Sequence, residues 1–197
     1  MNILFIDTET TGKYDFKLPP DHPTQPYLVQ LACILAEDDG QVLTERSRLS
    51  VIVKPEGWNI PQEVAAIHGI DDEIAGRCGI NIKSVAFLFN QLCLRTDLLV
   101  AHNLDFDRGI MASVMARLQL GHRLNKLNRY CTMRSATPIT KILRNPTGTN
   151  THNFKWPSLT ECMKFFFNED FSGQAHDAMN DVTACARVYW ELKIRGA

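Results

Sequence analysis

Residues 2–7, Asn-Ile-Leu-Phe-Ile-Asp, run apolar until Asp7 closes them. A strand with one wet face alternates in polarity, so an unbroken apolar run is expected of a strand covered on both faces. Such a strand needs helices above and below its sheet. The rest of the chain supplies them. Two β-like segments, 27–36 and 41–53, are joined by Glu37-Asp38-Asp39-Gly40, whose Asp-Gly favours a hairpin. Further strands are expected at 98–101 and 129–131. Helical periodicity marks 81–94 and 104–120, the latter with Asn103 as cap and Gly121 as stop. Pro61 opens a short helix over 62–67, and 133–143, 158–167 and 177–195 complete the helical set. Residues 13–26 and 144–157 are rich in turn formers and read as loops. A strand, a hairpin and then alternating helices and strands predict an α/β domain with a mixed sheet, and 197 residues suit one domain over 1–197.

The apolar share of 45% and charged share of 22% are those of an ordinary globular protein. No stretch approaches the ~18 apolar residues of a membrane helix, and the N-terminal run is too short for a signal-peptide core. The expected setting is soluble and cytoplasmic. Six cysteines, at 33, 78, 93, 131, 162 and 185, have no metal-like spacing and are expected to be buried or partly buried thiols. Net charge is −1, yet the stretch from Arg108 to Thr160 holds nine of the 21 basic residues and none of the 22 acidic ones. That asymmetry suits a polyanionic partner on one face, or solvated helix faces balanced by acids elsewhere.

Asp7 and Glu9 stand two apart at the end of the first strand, so their side chains share a face. Two such carboxylates repel unless a divalent cation joins them, and oxygen ligands suit Mg²⁺, with Mn²⁺ as a substitute. The pattern is short and common, and alone it is better read as two solvated acids at a strand end. Asp107 falls in the first turn of the helix after the second buried strand, where the helix dipole favours an anion. His176 and Asp181 are five residues apart, about 500° around a helix, so His176 belongs on the loop feeding the last helix and Asp181 in its early turns. Any one of these histidines taken singly fits a structural role. Together the acids can converge at one edge of the sheet.

These residues resemble the DnaQ-like 3′→5′ exonucleases of the DEDDh type. The resemblance rests on Phe5-Ile6-Asp7-Thr8-Glu9-Thr10-Thr11-Gly12, on Ala101-His102-Asn103-Leu104-Asp105-Phe106-Asp107, and on the segment from His176 to Asp181. Ile60-Pro61-Gln62-Glu63-Val64-Ala65-Ala66-Ile67-His68-Gly69-Ile70 matches a further family segment, and Lys155-Trp156-Pro157-Ser158-Leu159 is similar to the opening of the penultimate helix. The long loops at 13–26 and 144–157, and Met179-Asn180 before the last acid, depart from the usual pattern.

The resemblance implies an RNase H-like fold with a five-stranded mixed sheet flanked by helices. It implies Asp7, Glu9, Asp107 and Asp181 as ligands of two Mg²⁺ ions, and ranks Asp181 above Asp177. It implies His176 as general base, which an imidazole of ordinary pKa ~6.5 can be. Thr10, Gly12, Glu63, His68 and Asn103 become contacts to the terminal nucleotide. The expected partner is the 3′ end of a single strand, DNA in preference to RNA, with release of nucleoside 5′-monophosphates. An RNA-trimming exoribonuclease and a non-catalytic binding module remain the alternatives, and docking onto a polymerase or a second copy is left open. No membrane partner is expected.

Overall fold

In the computed structural model, described over residues 1–144, 153–171 and 176–196, five strands form one sheet in the order β3-β2-β1-β4-β5. β1 (Asn2–Thr10) lies at its centre. It pairs antiparallel with β2 (Leu28–Asp38), which pairs antiparallel with β3 (Leu43–Ile52). On its other side it runs parallel to β4 (Leu98–Ala101), itself parallel to β5 (Asn128–Cys131). The mixed five-stranded sheet expected from the sequence is therefore present.

The unbroken apolar run of β1 divides by parity. Leu4 and Ile6 pack with α3 (Ile82–Cys93) and α4 (Leu104–Arg117) on one face. Ile3 and Phe5 pack with α7 (Ala178–Ile194) on the other. Behind α7 lie α5 (Thr132–Thr140) and α6 (Leu159–Phe167). α1 (Gln62–His68) and α2 (Asp72–Cys78) close a small cluster around Val29, Ile60 and Ile70. Both faces of β1 are thus dry, as an all-apolar strand requires.

Several boundaries differ from the sequence reading. α2 was not expected; it is short, begun by Asp71 accepting from the Ile74 N–H, and too brief to show periodicity. α4 ends at Arg117, with Gln119 rather than Gly121 turning the chain at φ 54°. Asn103 occupies the N-cap position of α4 in a left-handed conformation, and its side chain makes no cap. α5 stops at Thr140, where Lys141 adopts positive φ. Most of the 144–157 loop lies outside the described residues. The cysteines are free; four are buried and Cys131 is partly so, but Cys78 is exposed, contrary to expectation, because it ends the solvent side of α2. No helix among the described residues is long and apolar enough to cross a membrane.

The long loop at 13–26 is a strap along α4. Gly109, Ser113 and Arg117 recur every fourth residue and so share one helix face. At Gly109 a Cβ would come within 2.9 Å of the Tyr14 ring, so any larger residue would have to push that ring aside. Ser113 Oγ donates to the Pro20 carbonyl. Arg117 donates to the carbonyls of His22, Gln25 and Pro26, and its guanidinium lies 4.4 Å from the Tyr27 ring centroid. Gln25, 1% exposed, accepts from the Asp15 N–H at 3.0 Å and donates to the Asp15 carbonyl at 2.7 Å. Arg117 is therefore committed to structure, and is no candidate for gripping a polyanion. Replacing Gln25 by Ala would strand buried backbone groups, a cost of roughly 1–3 kcal/mol. Urea unfolding of Gln25→Ala is expected to show that loss as a lower midpoint; an unchanged midpoint would mean the strap is held without it.

Candidate active site

The parallel ladder between β1 and β4 has its last pair at Phe5 and Val100, whereas β1 stays paired with β2 as far as Thr10. Asp7 and Glu9 are therefore inside the strand, not at its end as the sequence suggested, because the β2 ladder keeps the backbone extended. What has ended is β4. Beyond it one edge of β1 is open, and that opening makes room for carboxylates.

Asp7 and Glu9 share the α7 face, opposite Ala32 and Gln30 of β2. Asp181 joins that face from the first turn of α7. Asp107 comes from α4 on the opposite face, 2% exposed. Thr8, whose parity is opposite to that of Asp7 and Glu9, donates its hydroxyl to Asp107 Oδ1 at 2.8 Å. The acids therefore gather astride β1 where its pairing with β4 has ended.

Their mutual influence is large. Burial pushes the Asp7 carboxyl well above the usual range, and the charges of Asp107, Asp181, Glu9 and Asp177 push it further. Glu9 is driven up to about 8, by burial first and then by Asp181, Asp107 and Asp177. Burial raises Asp107 to about 7 despite the hydrogen bond from Thr8. Asp181 rises to about 6, burial outweighing the backbone bond from His176.

His176 sits before α7 at φ 66° and donates its backbone N–H to Asp181 Oδ2 at 3.0 Å, leaving its ring exposed. Ligand atoms of Glu9, His176 and Asp181 lie within 4.8 Å of one another. Asp177 instead caps α7, accepting from the N–H groups of Met179 and Asn180. Asp181 Oδ1 is buried with no hydrogen-bond partner. A partnerless carboxylate oxygen amid like charges is costly unless a cation meets it, and carboxylate oxygens suit a hard divalent ion. The residues fit such an ion.

The expected nucleotide contacts divide. His68 Nδ1 accepts from the Ile70 N–H at 3.1 Å, which leaves Nε2 buried and partnerless near the Thr10 backbone. Burial, then the neighbouring His176, lowers its pKa and keeps the ring neutral. The Thr10 hydroxyl is taken by the Gly12 carbonyl at 2.7 Å, so Thr10 offers only backbone. Gly12 has open space where a Cβ would stand. The side chain of Asn103, spared from capping, is exposed. Glu63 is exposed on the first turn of α1, about 140° around the helix from His68. Thr8 was missed by the sequence reading; its signal was a small polar residue at a position whose parity pointed to α4. A cleft of about 550 Å³ between Leu43, Phe167 and Trp190 is lined by none of these acids.

The exonuclease family model (RNase T) matches residues 4–189. No curated protein matches the chain in sequence. Escherichia coli exonuclease I in complex with a dA16 oligonucleotide is similar in structure, with a TM-score of 0.73 and 22% identity over 98% of this chain and 41% of that one. Its zinc-bound complex with single-stranded DNA gives 0.72 and 23% over the same shares. Exonuclease I from Methylocaldum szegediense gives 0.72 and 18%, over 98% and 40%. The RNase H-like fold is thus established, while the chain spans about two fifths of the length of those proteins.

A carboxylate raised on folding costs nothing below its ordinary pKa of 3.8 or 4.5 and destabilises progressively as pH climbs to its folded value. In EDTA the melting temperature is therefore expected to fall between about pH 4 and 8, and added Mg²⁺ to restore it more at pH 8 than at pH 5. A melting temperature that rises with pH across that window, in EDTA, would show the acids to be farther apart.

Proposed function

Since this chain belongs to the exonuclease family, of the DnaQ-like kind its sequence resembles, we propose that it hydrolyses nucleic acid from the 3′ end and releases nucleoside 5′-monophosphates. The observation that carries the proposal is the gathering of Asp7, Glu9, Asp107 and Asp181 close enough to raise one another's pKa, with a carboxylate oxygen of Asp181 left partnerless. Those four side chains would hold two divalent ions, Mg²⁺ in the first place and Mn²⁺ as a substitute. Bound there, the ions would neutralise the acids and supply positive charge for the scissile phosphate.

The protein's own groups do the rest. His176 is placed before α7 with its ring exposed beside Glu9 and Asp181, where it accepts the proton of the attacking water. Its left-handed backbone commits the N–H to Asp181, so the ring alone is free for chemistry. The neutral His68, whose neighbour Ile70 packs on Val29 of β2, and the open backbone at Gly12, beside the Thr11–Tyr27 bond that leads into β2, receive the terminal sugar and base. Asn103 adds an exposed amide at the start of α4. A pocket closed around a free 3′ end favours exonucleolytic over internal cleavage.

Single-stranded DNA is the proposed substrate. The exonuclease I structures of like fold carry single-stranded oligonucleotides. One domain over residues 1–197 would carry the activity, its free thiols fitting a reducing, cytoplasmic setting. Docking onto a polymerase or a second copy would add processivity or targeting without altering the site.

Release of mononucleotides from 5′-labelled single-stranded DNA, duplex DNA and RNA, in Mg²⁺ and in EDTA, tests the reading. Release is expected only in Mg²⁺ and fastest on single-stranded DNA, and Asp7→Ala or Asp181→Ala is expected to abolish it. His176→Ala should lower kcat by about 10²-fold or more while the Mg²⁺-induced rise in melting temperature persists. Full activity of Asp181→Ala would refute the ligand assignment, and faster trimming of RNA would reverse the substrate preference.

A further inference from the structure

Beyond the acids, the same sheet end carries an exposed aromatic ring. β4 ends at Ala101, and His102 follows it at the same end of the sheet where Asp7 of β1 stands two residues past the last β1–β4 pair. The β4–β5 register, Ala101 with Cys131, sets His102 level with Thr132. By parity His102 follows Val100 onto the α7 side, and Thr132 reaches Cys185 of α7 at 3.6 Å. His102 and Thr132 thus lie side by side at the end of the sheet that carries Asp7.

His102 is structural. Its Nδ1 accepts from Thr132 Oγ1 at 3.0 Å, and its Nε2–H donates to the Pro157 carbonyl at 2.9 Å. Burial lowers its pKa to about 4, the Pro157 bond offsetting only part, so it stays neutral and keeps both bonds. The histidine therefore pins residues 155–158 to the end of β4. The Lys155 N–H bonds the Ile142 carbonyl, the Lys155 ammonium meets Glu161 at 2.6 Å, and Ser158 and Glu161 form a capping box. A segment fixed at so many points presents Trp156 with 60% of its surface exposed. The ring lines a cleft of about 520 Å³ with His102, Met133, Lys155 and Leu159. A large aromatic ring presented to water on so fixed a backbone forgoes the burial that ordinarily places it in a core.

We infer that Trp156 is a stacking platform for an unpaired nucleobase of the substrate strand, upstream of the reacting phosphate. This rests on the nuclease reading above. His68 and Gly12 lie on the β2 side of the acids, and the Trp156 cleft lies on the β4–β5 side. A strand with its 3′ end at the former and its phosphate at the acids leaves across His102 toward Trp156. Every base has a face to stack, so the platform is indifferent to sequence. Bases inside a duplex are already stacked on both faces and cannot use it. The platform therefore selects single strands, and Lys155, 41% exposed, lies beside it for a phosphate.

The test compares Trp156→Ala and Trp156→Phe with the parent. Binding of a 5′-fluorescent thymidine octamer is followed by anisotropy in Ca²⁺, and KM and kcat are measured in Mg²⁺ on the octamer and on a thymidine dinucleotide. Loss of one stacked base is expected to weaken octamer binding about tenfold in Trp156→Ala. KM for the octamer should rise in parallel with kcat unchanged. The dinucleotide, too short to reach the cleft, should be turned over as by the parent, and Trp156→Phe should retain most of the affinity. Octamer binding unaltered in Trp156→Ala, with hydrolysis intact, overturns this inference alone and leaves the ring to a protein partner. Equal loss on octamer and dinucleotide also overturns it. Trp156-dependent binding without hydrolysis upholds the platform while sinking the nuclease reading, and a parent that neither binds nor cleaves overturns both.

Discussion

Repulsion among Asp7, Glu9, Asp107 and Asp181 is the constraint on which the rest of this structure turns. Each is raised above the ordinary carboxylate range, burial leading in every case and the neighbouring acids adding to it. A fold that gathered such groups for no purpose would have every reason to lose them. Instead it braces them. Thr8 fixes Asp107 from below and the His176 backbone fixes one oxygen of Asp181, while the other oxygen is buried without a partner. The cluster is prepared for positive charge that the protein itself does not provide.

The means of gathering is a mismatch of strand lengths. β1 runs on beside β2 after β4 has stopped, so acids from both faces can meet around its open edge. Helix α7 delivers Asp181 to one face and α4 delivers Asp107 to the other. Because the two helices pack on opposite sides of a sheet that is apolar throughout its centre, neither can shift without opening the core. The strap at 13–26 adds a third brace, holding α4 along its length through Gly109, Ser113 and Arg117.

The basic segment acquires a different meaning once folded. Its positive charge read as a surface for a polyanion, yet several of its members are occupied. Arg117 holds the strap, Arg123 bonds the Leu94 carbonyl, and Arg134 and Lys155 pair with Asp105 and Glu161. Exposed pairs of that kind are weak and exchangeable, so Arg134 and Lys155 remain usable by a phosphate. Arg117 does not. Charge counts along a chain cannot separate these cases, since a cation's availability depends on carbonyls and carboxylates brought to it from elsewhere.

Alternation and periodicity made much of this protein legible in advance, because both depend on neighbours a few residues away. The dry central strand, the hairpin, α3, α4 and α7 all follow from such local patterns, as does the shared face of Asp7 and Glu9. The motif acids could be named as a set from their order in the chain. Where β1 ends relative to β4, that Asp107 arrives from the far side beneath Thr8, and that His102 pins the segment bearing Trp156 were decided only by folding. Those contacts join residues that lie 55 to 99 positions apart. Local sequence sets which face a side chain presents, and only the packed sheet and its helices set what that face meets.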